Sequence, residues 1–161
     1  MEDVTGSWSQ PTFLTRRLLP LALHVRVSGG ISSDYLPRQL RFSTHGPTIG
    51  YSPFGVLRAR SGPPTTGDRY GMVVWEHDFR SVPFELLGWD WAAEKGISFI
   101  VHGGHAWVGV PDGVAGIRST AEHHEVGASL SLGYLFPIRI DVTQRLDEPG
   151  TFVGFGIARL F

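Results

Sequence analysis

Apolar and polar side chains alternate with a period of two through the last third of the chain, from His123 to Phe161. In EVGASLSL, Val126, Ala128, Leu130 and Leu132 fall on one face and Glu125, Gly127, Ser129 and Ser131 on the other, the period of a strand and not of a helix. In IRIDVTQR, Ile138, Ile140 and Val142 form the apolar set, and Arg139, Asp141, Thr143 and Arg145 the opposite one. TFVGFGIARLF then runs strand-like to an aromatic, Phe161. Alternation of this kind predicts half-buried strands and by itself leaves open which face is covered.

The same period appears upstream. LPLALHVRVSGG sets Leu21, Leu23, Val25 and Val27 against Ala22, His24, Arg26 and Ser28, with Pro20 near the start, where a strand tolerates it. DRYGMVVWEHDFR places Val73, Trp75 and Phe79 opposite Glu76, Asp78 and Arg80, while His77 stands on the apolar face. GISFIVHGGHAWVG is a further strand, in which Gly103 and Gly104 predict a bulge or bend. Residues 1 to 16 are polar and irregular and read as loop or frayed strand. Residues 31 to 66, full of Gly, Pro, Ser and Thr, read as one long loop, a length that is usually functional or disordered. PDGVAGIRST gives a second loop at 109 to 121, SVPFELLGWDWAAEKG a connection with a helical turn, and LDEPGT a tight turn on Pro149 and Gly150. The sum is an all-β chain, an antiparallel meander of about six strands in a single domain over 1 to 161.

Composition narrows what such strands are for. With 15 acidic and 14 basic residues the chain lacks the basic footprint of a nucleic-acid binder. The longest apolar run, Leu18 to Leu23, is broken by Pro20 and falls far short of the roughly 20 residues of a transmembrane helix. A hydrophobic content of 42% suits strands that show lipid one face and water the other. There is no cysteine, so neither disulfides nor thiolate metal sites arise. MEDVTGSWSQ has neither the basic start nor the apolar core of a secretory signal, so an outer-membrane chain of this kind is expected to be a piece of a longer precursor. A strand that ends on Phe161 is what a barrel closing on its last strand would show, since the ends of soluble domains usually fray.

If that end is periplasmic, the loops 31 to 66 and 109 to 121 fall outside and the short LGYLFP turn inside, the asymmetry of outer-membrane barrels. The connection 81 to 96 also falls inside and is longer than that rule prefers. Its Trp89 and Trp91, with Tyr134 and Phe136, would form an aromatic girdle.

Candidate chemistry is sparse. No G-x-S-x-G elbow, H-E-x-x-H helix or P-loop occurs, so neither an enzyme nor a cofactor is expected. His102 and His105, three apart on a strand, face opposite sides, and the adjacent histidines of Glu122-His123-His124-Glu125 also diverge. Solvated or interfacial histidines are therefore expected, and no metal.

The order of features resembles the C-terminal part of the barrel in the BamA and TamA outer-membrane superfamily, the bacterial surface antigen proteins. In that family a strand leads through an LP…F…GG approach into a long loop with an L-R-G-aromatic motif, matched here within LPRQLRFSTHGPTIGYSPFGVLRAR by Leu36, Pro37 and Phe42 and by Leu57-Arg58, with Ala59 and Arg60 in place of the glycine and aromatic. The next strand starts near Gly-Asp and carries a Glu, matched by Gly67, Asp68 and Glu76; the family's F-x-D-x-G becomes Ile100-Val101-His102-Gly103-Gly104. The closing strands match at Pro137-Ile138-Arg139-Ile140-Asp141 and at Gly154, Phe155, Gly156, Ile157 and Phe161, with Arg159 where an apolar residue is usual. The likeness covers residues 18 to 161.

The resemblance implies a transmembrane β-barrel portion whose long loop folds back into the lumen, with Arg58 reaching Glu76 on the wall and His102 in the same network; a guanidinium in a narrow lumen needs a carboxylate. Otherwise Arg58 is a solvated loop residue and Glu76 part of an ordinary polar wall. It further implies residence in the bacterial outer membrane, a role related to protein insertion or translocation, and as partners outer-membrane lipid, the barrel-assembly machinery, and missing N-terminal strands or copies of the chain. A soluble β-barrel ligand-binding module of the lipocalin sort, and a passive pore or structural surface protein, are the alternatives.

Overall fold

In the computed structural model the described residues are 2–11, 20–31, 42–44, 56–59, 65–111, 118–132 and 138–157. Seven strands form one antiparallel sheet: β1 (Glu2–Pro11), β2 (Pro20–Ile31), β5 (Arg69–Asp78), β6 (Ile97–Pro111), β7 (Arg118–Leu132), β8 (Ile138–Arg145) and β9 (Thr151–Ile157), adjacent in that order. Two three-residue strands, β3 (Phe42–Thr44) and β4 (Thr65–Gly67), pair with each other in a separate ribbon. The chain is all-β, an antiparallel meander, and β1 and β9 stand at the two edges of its sheet. Among the described residues no helix is long and apolar enough to cross a membrane.

The six strands read from alternation are all present, and β1 adds a seventh from residues whose pattern is irregular. The loop expected at 109 to 121 is narrower, because β6 and β7 each run 15 residues and pair as far as Pro111 and Arg118. The loop expected at 31 to 66 contributes β3 and β4. The connection after β5 holds two short helices, α1 (Val82–Leu86) and α2 (Asp90–Glu94), with Gly88 and Gly96 at positive φ after them.

Gly103 and Gly104 make no bulge. Pairing of β6 with β5 and with β7 runs unbroken through both residues. Their use is room. A Cβ on Gly103 would lie 2.7 Å from the Trp75 ring on one face, and a Cβ on Gly104 would lie 2.7 Å from Leu57 Cδ2 on the other. Leu57 is fully buried and packs with Met72, Val74 and Ala106, while Tyr70 borders the group. The described part of the long connection thus lies across β5 and β6.

The decisive feature is which face is covered. Arg139, Asp141 and Thr143 of β8, with Glu125 and Ser129 of β7, are buried. Their neighbours of opposite parity, Val126, Leu130, Ile138 and Val142, are exposed, and on β9 Val153 and Phe155 are 62% and 65% exposed. On β7 and β8 the sheet buries its ionic side and shows its branched aliphatic side, the reverse of an ordinary soluble domain, whereas on β5 and β6 the covered face also buries Met72, Val74, Ile100, Ala106 and Val108.

Candidate functional site

Register builds the buried polar surface. The pairs Glu76↔His102, His102↔Gly127 and Gly127↔Thr143 make one row across β5 to β8. The next row holds Asp78, Ile100, Ser129 and Asp141, and the row on the other side holds Val74, Gly104, Glu125 and Arg145. All of these side chains leave the same face because the residues alternate by two along each strand.

Arg58 enters this surface from the long connection. Its Nη2 donates to Glu76 Oε1, and its Nε lies 3.6 Å from Asp141 Oδ1. The backbone is fastened as well: the Arg58 amide donates to Glu125 Oε1 at 2.6 Å and the Ala59 amide to Glu125 Oε2 at 2.8 Å. A single carboxylate therefore holds two successive N–H groups, a clamp on the main chain that a change of the Arg58 side chain would leave in place. Glu125 Oε2 also meets His123 Nε2 at 2.7 Å.

A second guanidinium shares the site. Arg139 Nη1 donates to Glu76 Oε2 at 3.1 Å, its Nε to Asp141 Oδ1 at 2.7 Å and its Nη2 to Ser129 Oγ at 2.8 Å. Ser129 in turn donates to Asp141 Oδ1 at 2.5 Å. Two guanidinium groups thus face the Glu76 and Asp141 carboxylates, while the third carboxylate, Glu125, is met by amide donors and His123. A buried charge set of this kind persists only where each member is paired and hydrogen-bonded.

His102 completes the row. Its Nε2 lies 2.9 Å from Thr143 Oγ1, and its Nδ1 lies 3.0 Å from Ser129 Oγ. It spans the strand between because residue 127 has no side chain: a Cβ there would sit 2.5 Å from His102 Nε2 and would also clash with the Val142 carbonyl oxygen. Serine, histidine and aspartate meet here, but Asp141 bonds the hydroxyl of Ser129 and not the imidazole, so the order is not that of a nucleophilic triad.

The residues singled out from sequence fall as follows. Arg58 and Glu76 are ion-paired, and His102 lies in the Glu76 row, bonded to Ser129 and Thr143. Gly154, Phe155, Gly156 and Ile157 belong to β9. Leu36, Pro37, Arg60, Tyr134, Phe136, Arg159 and Phe161 lie outside the described residues. His102 and His105 do face opposite ways: His105 is on the open face, where its Nδ1 lies 3.0 Å from His124 Nδ1 across the β6–β7 pair. Ring centroids 5.2 Å apart put the two nitrogens nearly in line between them, the geometry of an N–H···N hydrogen bond and not of a chelate. Among the described residues no group of three or more His, Asp or Glu is placed to hold a metal ion. Sequence reasoning does not place Arg139, Asp141, Ser129, Thr143 and Glu125 in the network, although their shared parity with Glu76 and His102 carries the signal.

No family model, curated protein or solved structure matches the chain.

Proposed function

We propose that the chain is the C-terminal portion of a transmembrane β-barrel of the bacterial outer membrane, of the surface antigen type. Its aliphatic face meets acyl chains, and its ionic face lines an enclosed watery interior into which the Arg58 segment folds. One observation carries this reading: the aliphatic residues are exposed while Arg139 and Asp141 are buried, at 6% and 2% exposure. A soluble binding module would bury the opposite set, since each large aliphatic side chain hidden from water contributes roughly 1.5–3 kcal/mol.

An open sheet cannot stand in hydrocarbon, where every backbone N–H and C=O must be paired. Strands beyond β1 and β9, from the rest of a longer chain or from copies, are the partners this reading needs. The β9 run Gly154-Phe155-Gly156-Ile157, with Phe161, is the segment the barrel-assembly machinery would receive. The role is insertion or translocation of proteins at the outer membrane, in which the Arg58 segment packed on the wall governs the interior.

The test is expression in a Gram-negative host followed by fractionation. The chain should pellet with outer membranes, resist alkaline extraction and need detergent for release. Folded protein that is soluble without detergent would contradict the reading and favour the binding module. Liposome conductance set against rescue of barrel assembly or export separates a passive pore from an insertion factor.

A further inference from the structure

The donors on Asp141 all meet one of its two oxygens. Oδ1 takes Arg139 Nε at 2.7 Å and Ser129 Oγ at 2.5 Å and lies 3.6 Å from Arg58 Nε, whereas Oδ2 has no hydrogen-bond partner among the described residues, although Asp141 is 2% exposed. A buried carboxylate oxygen left bare costs free energy, so a donor belongs there. The oxygen lies toward β9. Gly154 stands in register with Asp141, and a Cβ on it would meet Asp141 Cβ at 3.8 Å and Oδ2 at 4.0 Å, with no closer atom. The space above Gly154 is therefore open, and Oδ2 is the polar atom that borders it.

The same sheet shows how such a space is used. Gly127 stands in register between His102 and Thr143, and the His102 side chain crosses β7 above it to reach Thr143 Oγ1 at 2.9 Å. Gly154 holds the equivalent place further out: Asp141 lies on one side of it, and on the other lies the edge of the sheet, where β9 has no neighbouring strand among the described residues. A side chain on a strand laid along that edge would have to cross two strand spacings, roughly 10 Å between backbones, to meet Asp141. Serine and threonine are too short for that span. Arginine and lysine are long enough, and they give a carboxylate a charge-assisted bond about twice as strong as a neutral one. The two edges of this sheet do not supply such a residue. β1 reads EDVTGSWSQP and β9 reads TFVGFGI, without a lysine or arginine in either, so a second copy joined edge to edge brings no cation to Gly154.

We propose that Asp141 and Gly154 form a receptor for the guanidinium or ammonium group of a strand laid against β9 and supplied from outside this sheet, with the basic residue of that strand in register with Gly154. The receptor uses the covered face and the edge of the sheet alone, so it stands apart from the assignment of the open face to lipid.

Fluorescence anisotropy of labelled peptides tests it on the folded full chain, held in detergent micelles or in plain buffer if it proves soluble. One short peptide alternates valine and threonine around a central arginine, and its twin carries citrulline there, the same shape without the charge. The arginine peptide should bind about tenfold tighter than its twin. That advantage should vanish in Gly154→Val, whose branched side chain suits a strand and fills the space. Equal binding of the two peptides, or binding of neither, would overturn the receptor. Stabilisation by methylguanidinium with no preference between the peptides would assign the oxygen to a free cation and overturn the strand. Should Gly154→Val fail to fold, Gly154→Ser brings a hydroxyl within reach of Oδ2: its unfolding midpoint should exceed that of Gly154→Ala, and equal midpoints would count against an oxygen in want of a donor. Solubility without detergent would overturn the membrane reading and leave this test intact.

Discussion

Arg139 on β8 donates to Glu76 on β5 at 3.1 Å, although β6 and β7 lie between them. Three strand spacings come to roughly 14 Å along a flat sheet, and both side chains leave their strands nearly at right angles to that line. The two meet where their long side chains lean toward each other across the covered face, over the strands between. Glu76 is thus the point where the far strand and the Arg58 segment are tied to the same carboxylate.

From that arrangement the largest single loss is predicted at Glu76. Glu76→Ala leaves two buried guanidinium groups without their shared partner, and breaking such a set costs about 3–5 kcal/mol. Denaturant unfolding of the variant in detergent should show this as a lowered midpoint. Glu122→Ala, at an exposed position of the open face, should change the stability by less than about 0.5 kcal/mol.

Gly104 is predicted to be intolerant of any side chain. Gly104→Val drives a branched group into the space of Leu57 Cδ2 and should destabilise the seat of the connection by about 1–3 kcal/mol through overpacking. Limited proteolysis reads it: cleavage between residues 56 and 59 should become faster in the variant. Gly103→Ala, on the other face, should instead disturb Trp75 and alter its fluorescence without exposing that segment.

The tight turn between β8 and β9 carries a pH dependence. Burial at Asp147 opposes ionisation, but hydrogen bonds from the Arg145 guanidinium and the His124 amide outweigh it and hold the carboxyl down at about 2, against an ordinary 3.8. Because the folded value is depressed, the turn gains stability that is complete above pH 3.8 and disappears as the pH falls through 2. Solvent reaches this pair, so the effect is small. Unfolding of the wild type between these pH values should be more acid-sensitive than that of Asp147→Asn, and equal sensitivity would contradict the assignment.

How much of this was legible in the sequence differs from one feature to the next. The strands around Leu23, Trp75, Phe99, Leu130, Ile140 and Phe155 follow from period-two alternation, which survives in any half-buried strand. β1 did not announce itself, because in Glu2 to Pro11 only Val4 and Trp8 carry large apolar side chains, against Asp3, Thr5, Ser7 and Ser9, too short an alternation to stand out, and the strand takes its place by pairing with β2. Of the bulge or bend that Gly103-Gly104 suggests, the unbroken pairing excludes the bulge, since a glycine that admits a neighbouring ring and a glycine that interrupts a ladder are the same letter. Arg58 and Glu76 came from a resemblance in the order of features. Arg139 and Asp141 were visible only as members of a polar face, because the bond of Arg139 to Glu76 and the place of Asp141 beside the two guanidinium groups depend on which strands the sheet sets side by side, which no local pattern encodes. His102 reaching Thr143 depends on Gly127, a long-range vacancy that register alone supplies.

The most direct test of the central claim is solvent access on the two faces of one strand pair in a bilayer. Spin labels placed singly at Val142 and Val153 on the open face, and at Thr143 on the covered face, are read for relaxation by oxygen, which concentrates in lipid, and by a water-soluble nickel chelate. Labels at Val142 and Val153 should respond to oxygen and be screened from nickel, while a label at Thr143, 1% exposed beneath the buried network, should be screened from both. Nickel relaxing the labels at Val142 and Val153 as strongly as oxygen does would contradict the assignment of the aliphatic face to lipid.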